Sequence, residues 1–344
     1  MAPTLAELHD VALLDLDGVV YIGDDAVPGA VDAIAAARAA GMACAFVTNN
    51  ASRPPDEVAA HLVALGVPAH PEDVVTSAQV GARLLAQAVG PDARVLAVGG
   101  DGVAAALREA GLAPVRAGDE GAADVAGVLQ GFGRRVTWED LAAAALAVQN
   151  GATWVLTNPD LTLPVPGGRA PGNGSLAWAV ETAAGRAPDA IAGKPFPALM
   201  SESVTRVGAL APIAVGDRLD TDIEGAARAG LPSLLVLTGV TDIARLLAAR
   251  PGERPDYLGV DLGALTQAPS PTGGPGGPRR AGEWWGVGPA RASALGGVLR
   301  IHRDGSGWLP ALQSACAATW AAPGPVDFTA AAHALEAARR TVGA

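Results

Sequence analysis

Short apolar runs alternate with Ala-rich stretches that stop at glycine, and this alternation limits the folds open to the chain more than any single residue does. Residues 11–14 read as a strand, 28–40 as a helix ended by Gly41, 43–47 as a second strand, and 55–65 as a helix closed by Gly66. Repeated strand-to-helix units of this size build a parallel sheet. A second group follows, with strands expected at 94–98, 125–129 and 153–156 and helices at 103–110 and 138–149. Short strands resume at 189–192 and 212–215, followed by a helix near 222–229 and a strand at 233–237. If the first and last groups share one sheet, the middle group is an insertion. The expected class is α/β: a Rossmann-like parallel-sheet core at 1–79 and 188–262, with an α/β domain inserted at 80–187.

After Asp261 the texture changes. A Pro/Gly tract over 268–282 has little to bury, so 263–282 reads as a linker. Residues 283–344 then carry Trp284, Trp285, Trp308 and Trp320, four of the seven tryptophans. Rings of that size must pack against the tail itself or against the main body. With helices expected at 310–319 and 330–340, the tail reads as a small C-terminal α+β domain.

The formal charge is −11 and the sequence has no basic run, which argues against nucleic acid and anionic membrane as partners. The longest apolar runs, such as 141–148, are too short to span a bilayer. Residues 1–17 lack a basic leader and read as a first strand, not a signal peptide. Cys44 and Cys316 lie far apart in sequence, so a reducing, cytoplasmic setting without a Cys-rich metal site is expected.

Against that background four segments stand out. Asp15-Leu16-Asp17-Gly18-Val19 follows the first strand, where open α/β sheets place their ligands. Two carboxylates held together are unfavourable unless a cation or a shared proton compensates them, and Mg²⁺ meets that need. An Asp/Gly turn is the plainer reading of this segment. Val47-Thr48-Asn49-Asn50 ends another strand and offers a hydroxyl, an amide and N–H groups to phosphoryl oxygens, although such residues also cap helices. Gly216-Asp217-Arg218-Leu219-Asp220-Thr221-Asp222 follows a third strand; Asp222 is either a further carboxylate at the metal or the N-cap of the next helix. Lys194, in Gly193-Lys194-Pro195, is the one lysine in the chain, every other permanent cation being arginine. A lysine kept under such pressure places a compact charge where a planar guanidinium fits badly.

Together these segments point to phosphoryl transfer. Asp15 would attack phosphorus, and Asp17 would protonate the leaving alkoxide and then activate water. Mg²⁺ would sit on Asp15, Asp217 and the Asp17 carbonyl, with Thr48 and Lys194 balancing phosphoryl charge. A kinase is disfavoured, because the sequence has no Gly-x-x-x-x-Gly-Lys-Ser/Thr loop. A non-catalytic phosphometabolite-binding protein would be expected to lose Asp15 or Asp17, and both are present.

The motifs at 11–23, 47–50, 193–195 and 215–223, in this order, resemble those of the haloacid dehalogenase-like phosphatases, subclass IIA, over about residues 8–262. The resemblance implies Asp15 as nucleophile and Asp17 as acid/base. It implies Asp15, Asp17 and Asp217 as Mg²⁺ ligands with Asp222 in support, and Thr48, Asn49, Asn50 and Lys194 as phosphate contacts. It also implies that the insertion is a C2-type cap, with Thr157 to Asp160 and Gly172 to Ser175 lining the substrate entrance. Some relatives carry a histidine in that cap loop; residues 160–171 contain none, which weakens an aromatic-substrate assignment. The added tail resembles that of actinobacterial D-glycerol 3-phosphate phosphatases, a reduced acetyltransferase-like fold. No Arg/Gln-x-x-Gly-x-Gly/Ala loop lies between 283 and 344 to cradle a pyrophosphate, so a structural or regulatory tail is expected. A capped site favours a small phosphorylated metabolite: glycerol 3-phosphate first, then phosphoglycolate, sugar phosphates or nucleotide monophosphates. A homodimer joined through the cap or the C-terminal domain stays open.

Overall fold

In the computed structural model, which describes residues 3–342 except 123, 166, 304 and 306, the strand Val11–Leu14 is buried at all four positions. Burial on both faces is what an unbroken apolar run demands of a parallel strand. The chain divides into two compact units, Met1–Cys44 with Ala209–Ala344, and Ala45–Gly208. In the first unit, parallel strands lie in the order Tyr257–Gly259, Ser233–Val236, Pro212–Gly216 and Val11–Leu14. Val11 pairs with Pro212 and Leu14 with Val215, so the first and last groups of the sequence do share a sheet. This register also sets the C-terminal ends of three adjacent strands at one edge. The helix expected over 28–40 is Ala30–Ala39, entered through Gly29 in a left-handed conformation (φ 78°).

The strand Ala43–Thr48 runs from the first unit into the second, where Phe46 to Thr48 pair in parallel with Val74–Thr76. The second unit also holds a five-stranded parallel sheet in the order Ala190–Ile191, Thr153–Leu156, Gly127–Gln130, Arg94–Val98, Ala113–Val115. Successive strand side chains face opposite ways. Val95, Ala97, Leu129 and Val155 pack on Ala78, Leu85, Val103 and Leu107, whereas Leu96, Val98, Val128 and Trp154 pack on Ala144, Val148, Ala177 and Val180. Helices Ser77–Val89 and Asp101–Glu109 therefore cover one face, and Trp138–Gln149 and Asn173–Ala184 the other. Trp138–Gln149 starts where the sequence places it because Thr137 accepts the N–H of Asp140 (3.3 Å) while Asp140 accepts that of Thr137 (2.8 Å).

Two expectations about organisation need correction. The strand expected at 189–192 as part of the core is Ala190–Ile191, the edge of the five-stranded sheet, paired with Val155 and Leu156. Two apolar residues cannot declare by pattern which sheet they join. A core boundary at 79/80 also falls inside the helix Ser77–Val89, whose Thr76 cap accepts from Gln79 N.

The tail is α+β: a four-stranded antiparallel sheet, Arg279–Ala281, Trp284–Val287, Ala290–Ser293 and Arg300–His302, with helices Trp308–Trp320 and Thr329–Val342. The tract expected as a linker is built into the fold. Its end forms the first strand of this sheet, and its middle is fastened by Leu258 N–H to Ser270 O (3.0 Å), Thr272 N–H to Asp256 O (2.8 Å) and Gln313 Nε2 to Pro271 O (2.7 Å). Carbonyls serve that purpose whether or not the side chains can be buried. The tail's own core is continuous with the first unit's: Leu219, Leu235, Leu237, Leu246 and Leu247 form one cluster with Ala292, Trp308, Leu312, Cys316 and Leu335. Trp320 donates Nε1–H to Leu246 O (3.3 Å) and lies 5.4 Å from the Arg254 guanidinium. Among the described residues no helix is long and apolar enough to cross a membrane.

One buried carboxylate is paired with two partly exposed arginines. Glu253, 1% exposed at its side chain, accepts from Arg245 Nη2 (2.7 Å) and from Arg250 Nη2 (2.5 Å) and N (3.2 Å). Burial pushes its pKa up, but hydrogen bonds from Arg245 and Arg250 prevail and hold it at about 2. A depressed folded-state pKa stabilises above the ordinary value of 4.5 and ceases to do so as pH falls through about 2. Glu253→Gln is expected to cost on the order of 2 kcal/mol at neutral pH. In denaturant titrations the gap between the variant and the parent should close across that acid window; a gap independent of pH would contradict the assignment.

Candidate active site

The strand ladder continues one residue past Leu14, because Asp15 N–H donates to Val215 O (2.9 Å). There the chain turns: Gly18 N–H meets Tyr21 O (2.8 Å), and the N–H groups of Val20 and Tyr21 converge on Leu16 O (2.9 and 3.1 Å). The turn needs glycine, since Gly18 has φ 87° and a Cβ there would lie 2.7 Å from Asp217 Oδ2. Asp15 is left half-buried, while Asp17, beyond the ladder, is exposed.

Asp217, directly after the strand Pro212–Gly216, is fully buried. Its Oδ2 accepts Val240 N–H (2.5 Å) and its main-chain carbonyl accepts Thr241 N–H (3.2 Å), so the loop after Ser233–Val236 holds it at both ends. Thr238 Oγ1, on the same loop, donates to Gly18 O (2.6 Å). Asp222 is 2% exposed and arrives by a single wide turn, Leu219–Ile223, in which the N–H groups of Asp222 and Ile223 both reach Arg218 O (3.1 and 3.2 Å). Its Oδ2 accepts Arg218 N–H (3.1 Å), behind it in the chain. The following helix, Glu224–Ala229, has Ile223 at its N-cap without a side-chain cap, so Asp222 is not the helix cap. Arg218 directs its guanidinium to Asp220 (3.0 and 3.2 Å).

One carboxylate oxygen from each of Asp15, Asp217 and Asp222 lies within 4.8 Å of the others. Three like charges so close, two of them buried, call for a cation, and an all-oxygen donor set suits a hard divalent ion. Glycine backbone shapes the space around them: a Cβ on Gly239 would stand 2.0 Å from Asp217 Oδ2, and one on Gly216 would stand 2.2 Å from Asp222 Cβ. The residues present therefore fit Mg²⁺.

In the second unit, Lys194 is 1% exposed, with Nζ donating to Val47 O (3.2 Å). Its backbone is clamped by a single side chain. Asn49 Oδ1 accepts Lys194 N–H (2.8 Å), and Asn49 Nδ2 donates to Lys194 O (3.0 Å) and to Asp160 Oδ2 (3.2 Å). Both amide hydrogens of Asn49 are thus engaged, and this side chain holds the lysine segment. Gly193 makes the approach possible, since a Cβ there would lie 2.5 Å from Asn49 Oδ1 and from Thr157 O. Thr48 is buried and its Oγ1 accepts Asn50 N–H (3.0 Å); Asn50 Oδ1 in turn accepts from Ser52 N (3.0 Å) and Oγ (2.7 Å).

Behind this clamp stand Asn158 and Asn173, from the two segments expected at the substrate entrance, and Ser77, which the sequence did not single out. Ser77 Oγ and Asn158 Nδ2 both donate to Asn49 O (2.7 Å each), and Asn173 Nδ2 donates to Asn158 O (2.8 Å). Sequence reasoning also missed the loop Thr238 to Val240. A Thr-Gly pair directly after an apolar strand was the available signal.

Comparison with known proteins agrees with this geometry. Residues 12–113 match the family described as haloacid dehalogenase-like hydrolase, and 191–265 match a second, HAD-hydrolase-like family. The D-glycerol 3-phosphate phosphatase of Mycobacterium tuberculosis is 50% identical over 264 residues, 77% of this chain and 73% of that protein. An acid sugar phosphatase of Staphylococcus aureus is 39% identical over 233 residues, 67% of this chain and 87% of the relative. The crystal structure of a glycerol phosphate phosphatase from M. tuberculosis in complex with magnesium superposes with a TM-score of 0.83 at 42% identity, covering 97% of this chain and 98% of that one.

The packing of Gly239 on Asp217 yields a direct test. Gly239→Ala should push the carboxylate out of place and weaken Mg²⁺ binding about tenfold or more in titration calorimetry, a change of roughly 1.4 kcal/mol. Unaltered Mg²⁺ affinity in a folded variant would remove Asp217 from the metal centre.

Proposed function

The chain belongs to the haloacid dehalogenase-like hydrolases and is a Mg²⁺-dependent phosphatase of a small phosphorylated metabolite, and on that premise we propose that it hydrolyses glycerol 3-phosphate through an aspartyl-phosphate on Asp15. The observation that carries the chemistry is the convergence of Asp15 and Asp217, at the ends of adjacent strands, with Asp222 on the turn Leu219–Ile223. The substrate rests on the 50% identity to the mycobacterial D-glycerol 3-phosphate phosphatase.

In the proposed reaction an Asp15 oxygen attacks phosphorus and the ester P–O bond breaks. Asp17 gives its proton to the departing alkoxide, and its exposed position suits the exchange with water that follows. Asp17 then takes a proton from water, whose oxygen attacks phosphorus and releases Asp15 and inorganic phosphate. Asp15, Asp217, Asp222 and the Asp17 carbonyl would hold Mg²⁺, which when bound offsets the repulsion between carboxylates and phosphate. Thr48, Lys194 and Asn50 would face the phosphoryl oxygens, with Asn49 keeping Lys194 in place. The inserted five-stranded sheet and its helices, from Ser77–Val89 to Ala190–Ile191, would act as a C2-type cap that limits entry to small esters. The antiparallel sheet, which starts at Arg279–Ala281, and the two helices after it support reading the tail as a reduced acetyltransferase-like module. Buried Cys44 and Cys316, neither in a disulfide, support a cytoplasmic setting. The proposed homodimer would join through the insert or the C-terminal domain; Trp138 and Trp178, 76% and 61% exposed, offer apolar surface on the insert.

Ranking phosphomonoesters by kcat/KM tests the substrate: glycerol 3-phosphate should exceed sugar phosphates and 4-nitrophenyl phosphate. A sugar phosphate in first place would favour the reading suggested by the staphylococcal relative. Asp15→Asn should abolish turnover without loss of Mg²⁺-free stability, and acid-quenched parent enzyme should carry a phosphoryl adduct on the Asp15 peptide. Turnover persisting in Asp15→Asn would end the covalent mechanism. Lys194→Ala should lower kcat by about two orders of magnitude, the usual loss for one charge contact at the transferring group.

A further inference from the structure

The loop that holds Asp217 is anchored at its base by the C-terminal helix. Leu237, 1% exposed, closes the strand Ser233–Val236; its N–H donates to Gly259 O (3.2 Å) and its carbonyl accepts Arg339 Nη2 from the helix Thr329–Val342. The next three residues are Thr238, which donates to Gly18 O, Gly239, which packs on Asp217, and Val240, which donates to Asp217 Oδ2. Arg339 is itself steadied by Glu336 (3.5 Å) and is 27% exposed at its side chain. Leu335 and Ala332 of the same helix share a buried cluster with Leu237.

We infer that Arg339 is a positioning residue: by fixing the Leu237 carbonyl, the C-terminal helix sets the loop 238–240 and with it the Asp217 carboxylate, and so tunes Mg²⁺ affinity. A guanidinium on a main-chain oxygen is a charge-assisted contact, and the carbonyl it holds belongs to a residue that is 1% exposed. It acts one residue before the loop, so a shift at Leu237 is transmitted along the backbone to Val240 N–H. The inference rests on the reading of Asp217 as a metal ligand.

Three measurements on the full chain without substrate test it. Mg²⁺ titration calorimetry of Arg339→Met, which keeps the apolar stem, should show affinity about five- to tenfold weaker, with Arg339→Lys recovering part of the loss. Leu335→Ala, which loosens the same helix but leaves the guanidinium contact, should lower thermal stability and leave Mg²⁺ affinity near that of the parent. Equal Mg²⁺ weakening in both variants would reduce Arg339 to general stabilisation and overturn the inference. The parent protein provides a reading that needs no variant, because coupling between two sites is reciprocal. Mg²⁺ should slow amide hydrogen exchange in residues 332–341 as well as in 238–241; protection confined to 238–241 would also overturn it. Asp217→Asn separates the two layers of argument. If that variant binds Mg²⁺ normally, the metal-ligand reading itself fails; if it loses Mg²⁺ while Arg339→Met does not, only the role of Arg339 fails.

Discussion

Repulsion among Asp15, Asp217 and Asp222 is the constraint to which the rest of the catalytic half answers. Unit charges separated by this distance repel by on the order of 3 kcal/mol per pair at the effective dielectric of a protein interior. Side chains on loops would simply swing apart. Here two of the three emerge at the ends of adjacent parallel strands, where the register Leu14 to Val215 fixes their spacing, and the third is carried back by the turn Leu219–Ile223. Backbone N–H groups of Arg218 and Val240 brace two of the carboxylates. The cation completes a charge balance that the fold has prepared and cannot reach with its own side chains.

Glycine gives that preparation its precision. Gly18, Gly216 and Gly239 each bring main chain where any Cβ would strike Asp217 or Asp222, and Gly193 does the same for Asn49. A carboxylate pressed against backbone has few rotamers left, and a backbone pinned by hydrogen bonds cannot recede. The lysine segment follows the same rule with different chemistry. Asn49 reads both polar groups of the Lys194 peptide unit, so the position of the ammonium is set from its main chain outward.

Much of this was legible in the sequence because it is local. Asp15, Asp17, Asp217 and Lys194 each sit within a short motif placed after an apolar run, and strands such as Arg94–Val98 and Thr153–Leu156 or the helix Trp138–Gln149 declare themselves by period and cap. What escaped depends on partners distant in sequence. The clamp of the Asn49 amide on the Lys194 segment joins residues 145 positions apart. Asp222 could have capped a helix, until one extra residue in the turn before Glu224 moved the helix start past it. Ala190–Ile191 could have joined either sheet, because a two-residue strand has no pattern of its own.

The tail shows where composition and folding part company. A change to Pro, Gly and Trp after residue 261 marks a real change of texture, and an antiparallel sheet does begin there. Yet Trp308, Leu312, Cys316 and Leu335 bury their apolar surface in the same cluster as Leu219, Leu235 and Leu246, and Cys316 is buried deeply enough to push its thiol pKa well up. At about 25 cal/mol per Å² of apolar area removed from water, neither side of such a shared core can be peeled away without exposing the other. A segment this small buries little on its own and depends on what it packs against. The texture boundary is therefore not a folding boundary. Packing in that cluster holds the helix Thr329–Val342 where Arg339 reaches the Leu237 carbonyl, at the end of the strand Ser233–Val236.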